Sequence, residues 1–375
     1  MKKSVAFLLS ILVISCFASI VKLARASATI YIRAVGSIDP PTAPISTVDN
    51  VTYTLTGNVT SDANGIVVER TNITVDGNGY TLLGTGNGTG LSCSFVNSVT
   101  IKNTNIENFA TGLKLESSSN STITANDVTS SEIGINVLDC SNIGVVGNSV
   151  RAIGGEGIYL ELTVNTRIRG NRVEACNWTG IYLYKSDYNN FSENSIANNL
   201  VTGIHLDGKS NYNIISGNNI TNNIIGIDVS GISAYNSFYL NDIRANTDSG
   251  IYVRESSSNR FYHNKIIDNR VQVAIGLHCE NNTWDDGYPS GGNYWSNYAG
   301  VDVKSGPNQD QPGSDEIGDA PYPIDANNTD HYPLMTQPII PEFPSFLILP
   351  LFMILSLVSL VLTKNKRARI PDRSL

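Results

Sequence analysis

G-I-Y-L-E-L-T-V-N-T-R-I-R-G-N-R-V-E-A-C-N-W-T (Gly157–Thr179) runs straight into G-I-Y-L-Y-K-S-D-Y-N-N-F-S-E-N-S-I-A-N-N-L-V-T (Gly180–Thr202), and that into G-I-H-L-D-G-K-S-N-Y-N-I-I-S-G-N-N-I-T-N-N-I-I (Gly203–Ile225). The three segments agree in phase. Each opens on Gly, with aliphatics one and three places later: Ile158/Leu160, Ile181/Leu183, Ile204/Leu206. A second apolar position follows at Ile168, Phe191 and Ile215, and a third at Val173, Ile196 and Ile220, each two residues after Asn171, Asn194 or Asn218.

Working outward, Gly followed by an aliphatic recurs at 65, 90, 112, 134, 157, 180, 203, 226 and 250, a spacing of 22 to 25 residues. The second column extends from Ile101 to Phe261, with Trp284 as a candidate last member, and the third from Ile106 to Ile266. Alternation of apolar and polar residues after each Gly predicts a short strand with one buried face. Three apolar columns per unit imply three strands per turn. The Asn column runs through Asn126, Asn148, Asn171, Asn194, Asn218, Asn241 and Asn264, and Asn199, Asn223, Asn246 and Asn269 suggest another. Stacked amides can donate from coil to coil and tolerate the backbone angles of a tight bend. A leucine-rich repeat would require different Leu and Asn spacing. The expectation is all-β: a right-handed parallel β-helix of the pectate-lyase-like kind, about ten coils of 22–25 residues over 65–280, plus one C-terminal transmembrane helix. At about 4.8 Å per coil the rod is roughly 45 Å long, with ends that must be covered.

The flanks read accordingly. Lys2 and Lys3, the apolar run Val5–Val21 and the small residues Ala24, Ala26 and Ala28 predict a signal peptide over 1–28, an uncleaved anchor being the alternative. Residues 29–64 are read as an N-terminal cap, 281–337 as an aromatic and acidic C-terminal cap, and 338–345 as a Pro-rich linker. The apolar run at 346–363 followed by the basic tail 364–375 predicts a single-pass anchor, tail inside, which places the body outside the cytoplasm. Charged residues are only 15% of the chain and the net charge is −8, with the basic residues clustered only in the tail; this excludes nucleic acid as a partner. Ten N-x-S/T sequons suit an exported, glycosylated surface protein. Cys93, Cys140, Cys176 and Cys279 have unrelated spacings and are read as small core fillers.

The coils from Gly65 to Ile275 resemble the NosD-like β-helix family and the wider group of carbohydrate-binding and sugar-hydrolase repeats. More specific are N-T-W-D-D-G-Y-P-S-G-G-N-Y-W (Asn282–Trp295), its continuation Ser305–Asp319 to Tyr332-Pro333-Leu334, and the opening Val75-Asp76-Gly77-Asn78-Gly79-Tyr80. These look like the C-terminal segment and first full coil of NosD-like surface proteins, many of them archaeal. Pro341-Glu342-Phe343-Pro344 is similar to archaeal C-terminal sorting signals. The resemblance implies the fold. For activity it points two ways: a periplasmic protein tied to copper-centre assembly in nitrous oxide reductase, and relatives that bind or cleave polysaccharides.

Outward strand positions carry the candidate chemistry. Tyr159, Tyr182 and Tyr184 can offer a platform to a sugar ring, with Glu161, His205, Asp207 and Asp228 as hydrogen-bonding partners. Equally, Tyr is a favoured strand residue and such a stripe can be only a stable sheet face. Asp207 and Asp228, on neighbouring coils, are the carboxylate pair that a polysaccharide hydrolase or lyase would use. No N-T-D, D-D and H-G series of the polygalacturonase kind occurs in the coils. Copper would draw on His205 or His278, the latter beside Cys279, and structural calcium on Asp310, Asp315 and Asp319. The resulting expectation is a surface β-helix binding polysaccharide or cell-surface glycan without catalysis, against a hydrolase or lyase, a metal-handling protein and a purely structural envelope protein.

Overall fold

The computed structural model describes residues 29–339, all strand, turn and loop. The signal peptide at 1–28, nearly all of the linker, the expected transmembrane helix at 346–363 and the tail at 364–375 lie outside the described residues. Among those described, no helix is long and apolar enough to cross a membrane. The chain winds as a parallel β-helix of the right-handed type, with three sheets of 12, 11 and 11 strands. Each coil contributes one strand to each sheet. In the first sheet Ile158–Glu161 pairs in parallel with Ile181–Tyr184, and that with Thr202–Asp207.

Register follows from the apolar columns. Ile158, Ile181, Ile204 and Ile227 stack inward in the first sheet, Ile168, Phe191 and Ile215 in the second, and Val173, Ile196 and Ile220 in the third, all of them 0% exposed. A one-residue slip would turn every one of them to water, so the pairing is strongly specified. All four described cysteines are free and buried in this core.

Between the strands, the polar interior is made by the Asn columns. Asn194 Nδ2 donates to Ile168 O and to Asn218 Oδ1, both at 2.9 Å, while its own Oδ1 accepts from Asn171 N and Nδ2 at 3.0 Å. The pattern repeats from Asn126 to Asn293, and a second ladder runs Asn199–Asn223–Asn246–Asn269. A third, not anticipated, joins Asn213, Asn236, Asn259 and Asn282, and Asn189 enters it through its backbone N–H to Asn213 Oδ1.

The repeat Gly has a steric cause. A Cβ on Gly180 would lie 2.8 Å from Gly203 O, and one on Gly226 would lie 2.4 Å from Gly250 O. In the last coil no carbonyl follows, and the position becomes Gln272. Its Oε1 accepts from Asn269 Nδ2 and its Nε2 donates to Ser296 Oγ, both at 2.9 Å, which terminates the second ladder.

Both ends are covered. Ile38–Asp39 pairs antiparallel with Ile30–Ile32, and Ile45–Ser46 with Thr52–Leu55. At the far end Trp284 stacks on Phe261 at 4.4 Å, and Tyr294–Trp295 pairs with the strand Lys265–Ile267. Asp330, 0% exposed, accepts from Asn293 N, Trp295 Nε1 and Tyr332 N and so ties the end of the cap to its beginning. Burial pushes its carboxyl up to about 7. A carboxyl whose folded pKa lies above its unfolded one binds protons preferentially when folded, so its contribution to stability is lost as pH rises from about 4 to 7. Thermal midpoints are therefore expected to fall between pH 4 and pH 7, with a slope from this group of up to about 1.4 kcal/mol per pH unit that Asp330→Asn abolishes. An unchanged slope in the variant would refute the assignment.

Candidate functional site

Strand alternation in the first sheet places two outward columns side by side. Tyr159, Tyr182, His205, Asp228 and Tyr252 occupy one; Glu161, Tyr184 and Asp207 occupy the other. Because parallel in-register strands set like positions directly above one another, the rings stack on each other. Tyr159 and Tyr182 centroids are 5.4 Å apart, and Tyr182 and His205 are 4.9 Å apart, each pair at 23°. Their inner faces are thus occupied, and the flat platform of the sequence reading is replaced by a column of ring edges and hydroxyls.

Those hydroxyls are already aimed at carboxylates. Tyr159 Oη donates to Glu161 Oε2 at 2.9 Å, and Tyr182 Oη donates to Asp207 Oδ2 at 3.1 Å. Burial together with these acceptors raises both phenol pKa values, so both hydroxyls stay protonated donors. Asp207 also accepts from Gly208 N at 2.7 Å and rests on Gly231, where a Cβ would meet its Oδ1 at 1.9 Å. Tyr184 lies against Gly208 in the same manner, with Lys185 Nζ 4.9 Å from the ring centroid.

Asp228 differs from its neighbours: although on the outer face, it is only 3% exposed. Its Oδ2 accepts from Arg254 at 3.2 Å and lies 3.7 Å from His205 Nε2, while Oδ1 has no hydrogen-bond partner. Desolvation raises its pKa against the opposing pull of His205 and Arg254, and desolvation lowers that of His205. His205 Nε2 also meets Ser230 Oγ at 2.9 Å. This is not a nucleophile triad, because serine and carboxylate approach the same ring nitrogen instead of opposite ones. Of the two aspartates, Asp207 presents itself to solvent and Asp228 sits beneath His205 and Arg254. Ser230 and Arg254 stand in the second outward column, but nothing in their spacing announces this contact.

The metal candidates do not come together. His205 is on the sheet face, whereas His278 lies on an exposed turn beside Glu255 and Glu280; the adjacent Cys279 points inward, its Sγ on Val253 O. Burial raises the Cys93 thiol, and lifts Cys140 to about 11 and Cys176 to about 12, so these sulfurs are not thiolates at neutral pH. In the acidic segment Asp315 accepts from Gly306 N and Gln309 Nε2, and Asp319 Oδ1 from Val303 N and Lys304 N; Asp310 accepts from Gln311. These carboxylates face N–H donors. Among the described residues no three His, Cys, Asp or Glu side chains converge as a metal ion requires.

A coiled rod with three apolar columns and stacked Asn ladders is a shape shared by many proteins, so sequence kinship decides among them. The family model described as "Periplasmic copper-binding protein (NosD)" matches in three overlapping stretches, 36–150, 71–248 and 208–300. This chain belongs to the NosD family. The NosD match spans the coils and the start of the cap. No curated protein matches the sequence. Among solved structures, the DFA-IIIase of Arthrobacter chlorophenolicus A6 in complex with DFA-III is 12% identical, with a TM-score of 0.51 over 64% of this chain and 73% of that one. The mannuronan C-5 epimerase AlgE6 A-module of Azotobacter vinelandii is 15% identical, with a TM-score of 0.45 over 63% and 77%. At these identities the likeness is one of fold. The copper in the family's description finds no matching donor set among the described residues of this NosD chain.

Proposed function

We propose that this NosD-family β-helix binds a glycan on the outer face of the first sheet, across Tyr159, Glu161, Tyr182, Tyr184, His205 and Asp207, and holds it without cleaving it. The observation that carries this reading is the pair of preset hydroxyl–carboxylate couples, Tyr159–Glu161 and Tyr182–Asp207. Each couple offers sugar hydroxyls an acceptor fixed by packing, which lowers the ordering cost of binding. Cleavage would need two carboxylates flanking the bond, and Asp228 is buried under Arg254 and His205. The signal-peptide pattern of residues 1–28 and the apolar run at 346–363 are what favour display outside the cytoplasm on a membrane anchor.

Binding of the full chain to an array of neutral and acidic polysaccharides tests this. Asp207→Asn keeps the fold but weakens the acceptor, and is expected to lower affinity about tenfold, the worth of one charge-assisted hydrogen bond. No new reducing ends should appear on prolonged incubation with the retained glycan. Full affinity in the Asp207→Asn variant would exclude this face, and accumulating product would make the protein an enzyme.

A further inference from the structure

The corner between the third and first sheets carries a feature that the sheet-face site does not use. Of the three tryptophans, Trp284 and Trp295 are buried in the cap, their Nε1 atoms donating to Asn328 and Asp330. Trp178 is 60% exposed, and among the described residues it makes no ring, cation or side-chain hydrogen-bond contact. Its backbone places it: Trp178 N donates to Gly155 O and Trp178 O accepts from Val201 N, so the indole stands at the start of the coil that carries Tyr182 and Tyr184.

Beside it a groove of about 450 Å³ runs along the same corner, lined by Asn108, Ser130, Ser131, Glu132, Gly154 and Asn177 among others. Asn177 directly precedes Trp178, and Gly154 directly precedes the Gly155 that receives its N–H. Glu132 reaches over Gly154, where a Cβ would meet its Oε2 at 2.4 Å. The volume is that of a small-ligand site. Its lining mixes amides, hydroxyls and one carboxylate with the apolar Phe109, Ala152, Ile153 and Ala175, and holds no Lys or Arg. Phosphate and uronate groups have no counter-charge there. Sugar hydroxyls match amides and a carboxylate, and a free indole face suits the C–H face of a pyranose ring.

We propose that Trp178 and this groove form a second glycan subsite, selective for neutral sugars and separate from the outer sheet face. It needs a glycan ligand but not the sheet-face site, and the two can be tested apart. With the other two indoles buried, quenching of tryptophan emission by acrylamide in the full-length chain reports on Trp178. Neutral hexasaccharides (β-1,4-glucan, β-1,4-mannan, β-1,4-linked N-acetylglucosamine and α-1,4-glucan) are titrated, with a hexauronate as the charged control.

At least one neutral probe is expected to shield Trp178 at millimolar concentration, while the hexauronate does not. Trp178→Ala should weaken that binding about tenfold, Trp178→Phe much less, and Glu132→Gln to an intermediate degree, with unchanged thermal midpoints. Asp207→Asn should leave the shielding intact, so loss of the sheet-face site cannot be mistaken for loss of this one. No shielding by any neutral probe, or equal shielding by the hexauronate, overturns the proposal. So does concentration-dependent self-association that Trp178→Ala abolishes, which would assign the indole to a second copy of the chain.

Discussion

Asn194→Ala is expected to lower stability by about 4 kcal/mol. The 1%-exposed side chain makes four hydrogen bonds, two as donor to Ile168 O and Asn218 Oδ1 and two as acceptor from Asn171 N and Nδ2. Truncation strands partners that water cannot reach, and each buried orphan costs about 1–3 kcal/mol. The thermal midpoint should fall on the order of 10 °C. Amide exchange should accelerate first in the coils around Asn171 and Asn218, because a solenoid transmits damage mainly to its neighbours. Asn194→Asp should rescue nothing, since its second oxygen would face Ile168 O and Asn218 Oδ1. A midpoint within a degree or two of the parent in both variants would mean that the ladder adds no net stability.

Gly226→Ala is the second large effect, expected at about 3 kcal/mol or more. The added methyl would sit 2.4 Å from Gly250 O, 2.8 Å from Asn246 Nδ2 and 2.9 Å from Ile243 Cγ2. A backbone carbonyl held in a parallel ladder cannot retreat without breaking its own pairing, so overpacking here costs at least the upper end of its usual 1–3 kcal/mol range. Gly144→Ala supplies the contrast. Its nearest neighbour would be Thr122 Oγ1 at 3.4 Å and its φ is not positive, so the substitution should be neutral or stabilise by about 0.5 kcal/mol. Urea denaturation of the two variants beside the parent decides the matter: equal shifts would remove close coil approach as the reason for the Gly column.

The coils were legible because a parallel β-helix repeats its physics. Every coil meets the same neighbour at the same distance, so Gly, the aliphatics and Asn return in phase, and self-comparison alone assigns strand, turn and ladder. The Asn213–Asn282 ladder escaped because the coils before Asn189 fill that position with Thr166, whose hydroxyl continues the bonding, and then with Ile143, whose side chain ends it. Gln272 reads as a flaw in the Gly column until the end of the stack is seen, where no further carbonyl needs the room.

The site was legible only in outline. Alternation correctly turns Tyr159, Tyr182, His205 and Asp228 away from the core, since side-chain parity is a local property of a strand. It says nothing of what lies over an outward residue. Asp228 is buried by His205 of the preceding coil and Arg254 of the following one. The tyrosine rings face one another because in-register stacking leaves them no other neighbour. Likewise Trp178 is one more residue between two strands in the sequence, and only the corner groove beside it gives its exposure meaning. The sequence by itself determined the coil, its period and which residues point outward, because these depend on contacts repeated at a fixed separation along the chain. Only the tertiary structure decided which outward residues are covered, which donors find acceptors and where a groove remains open, because those depend on unlike residues brought together from different coils.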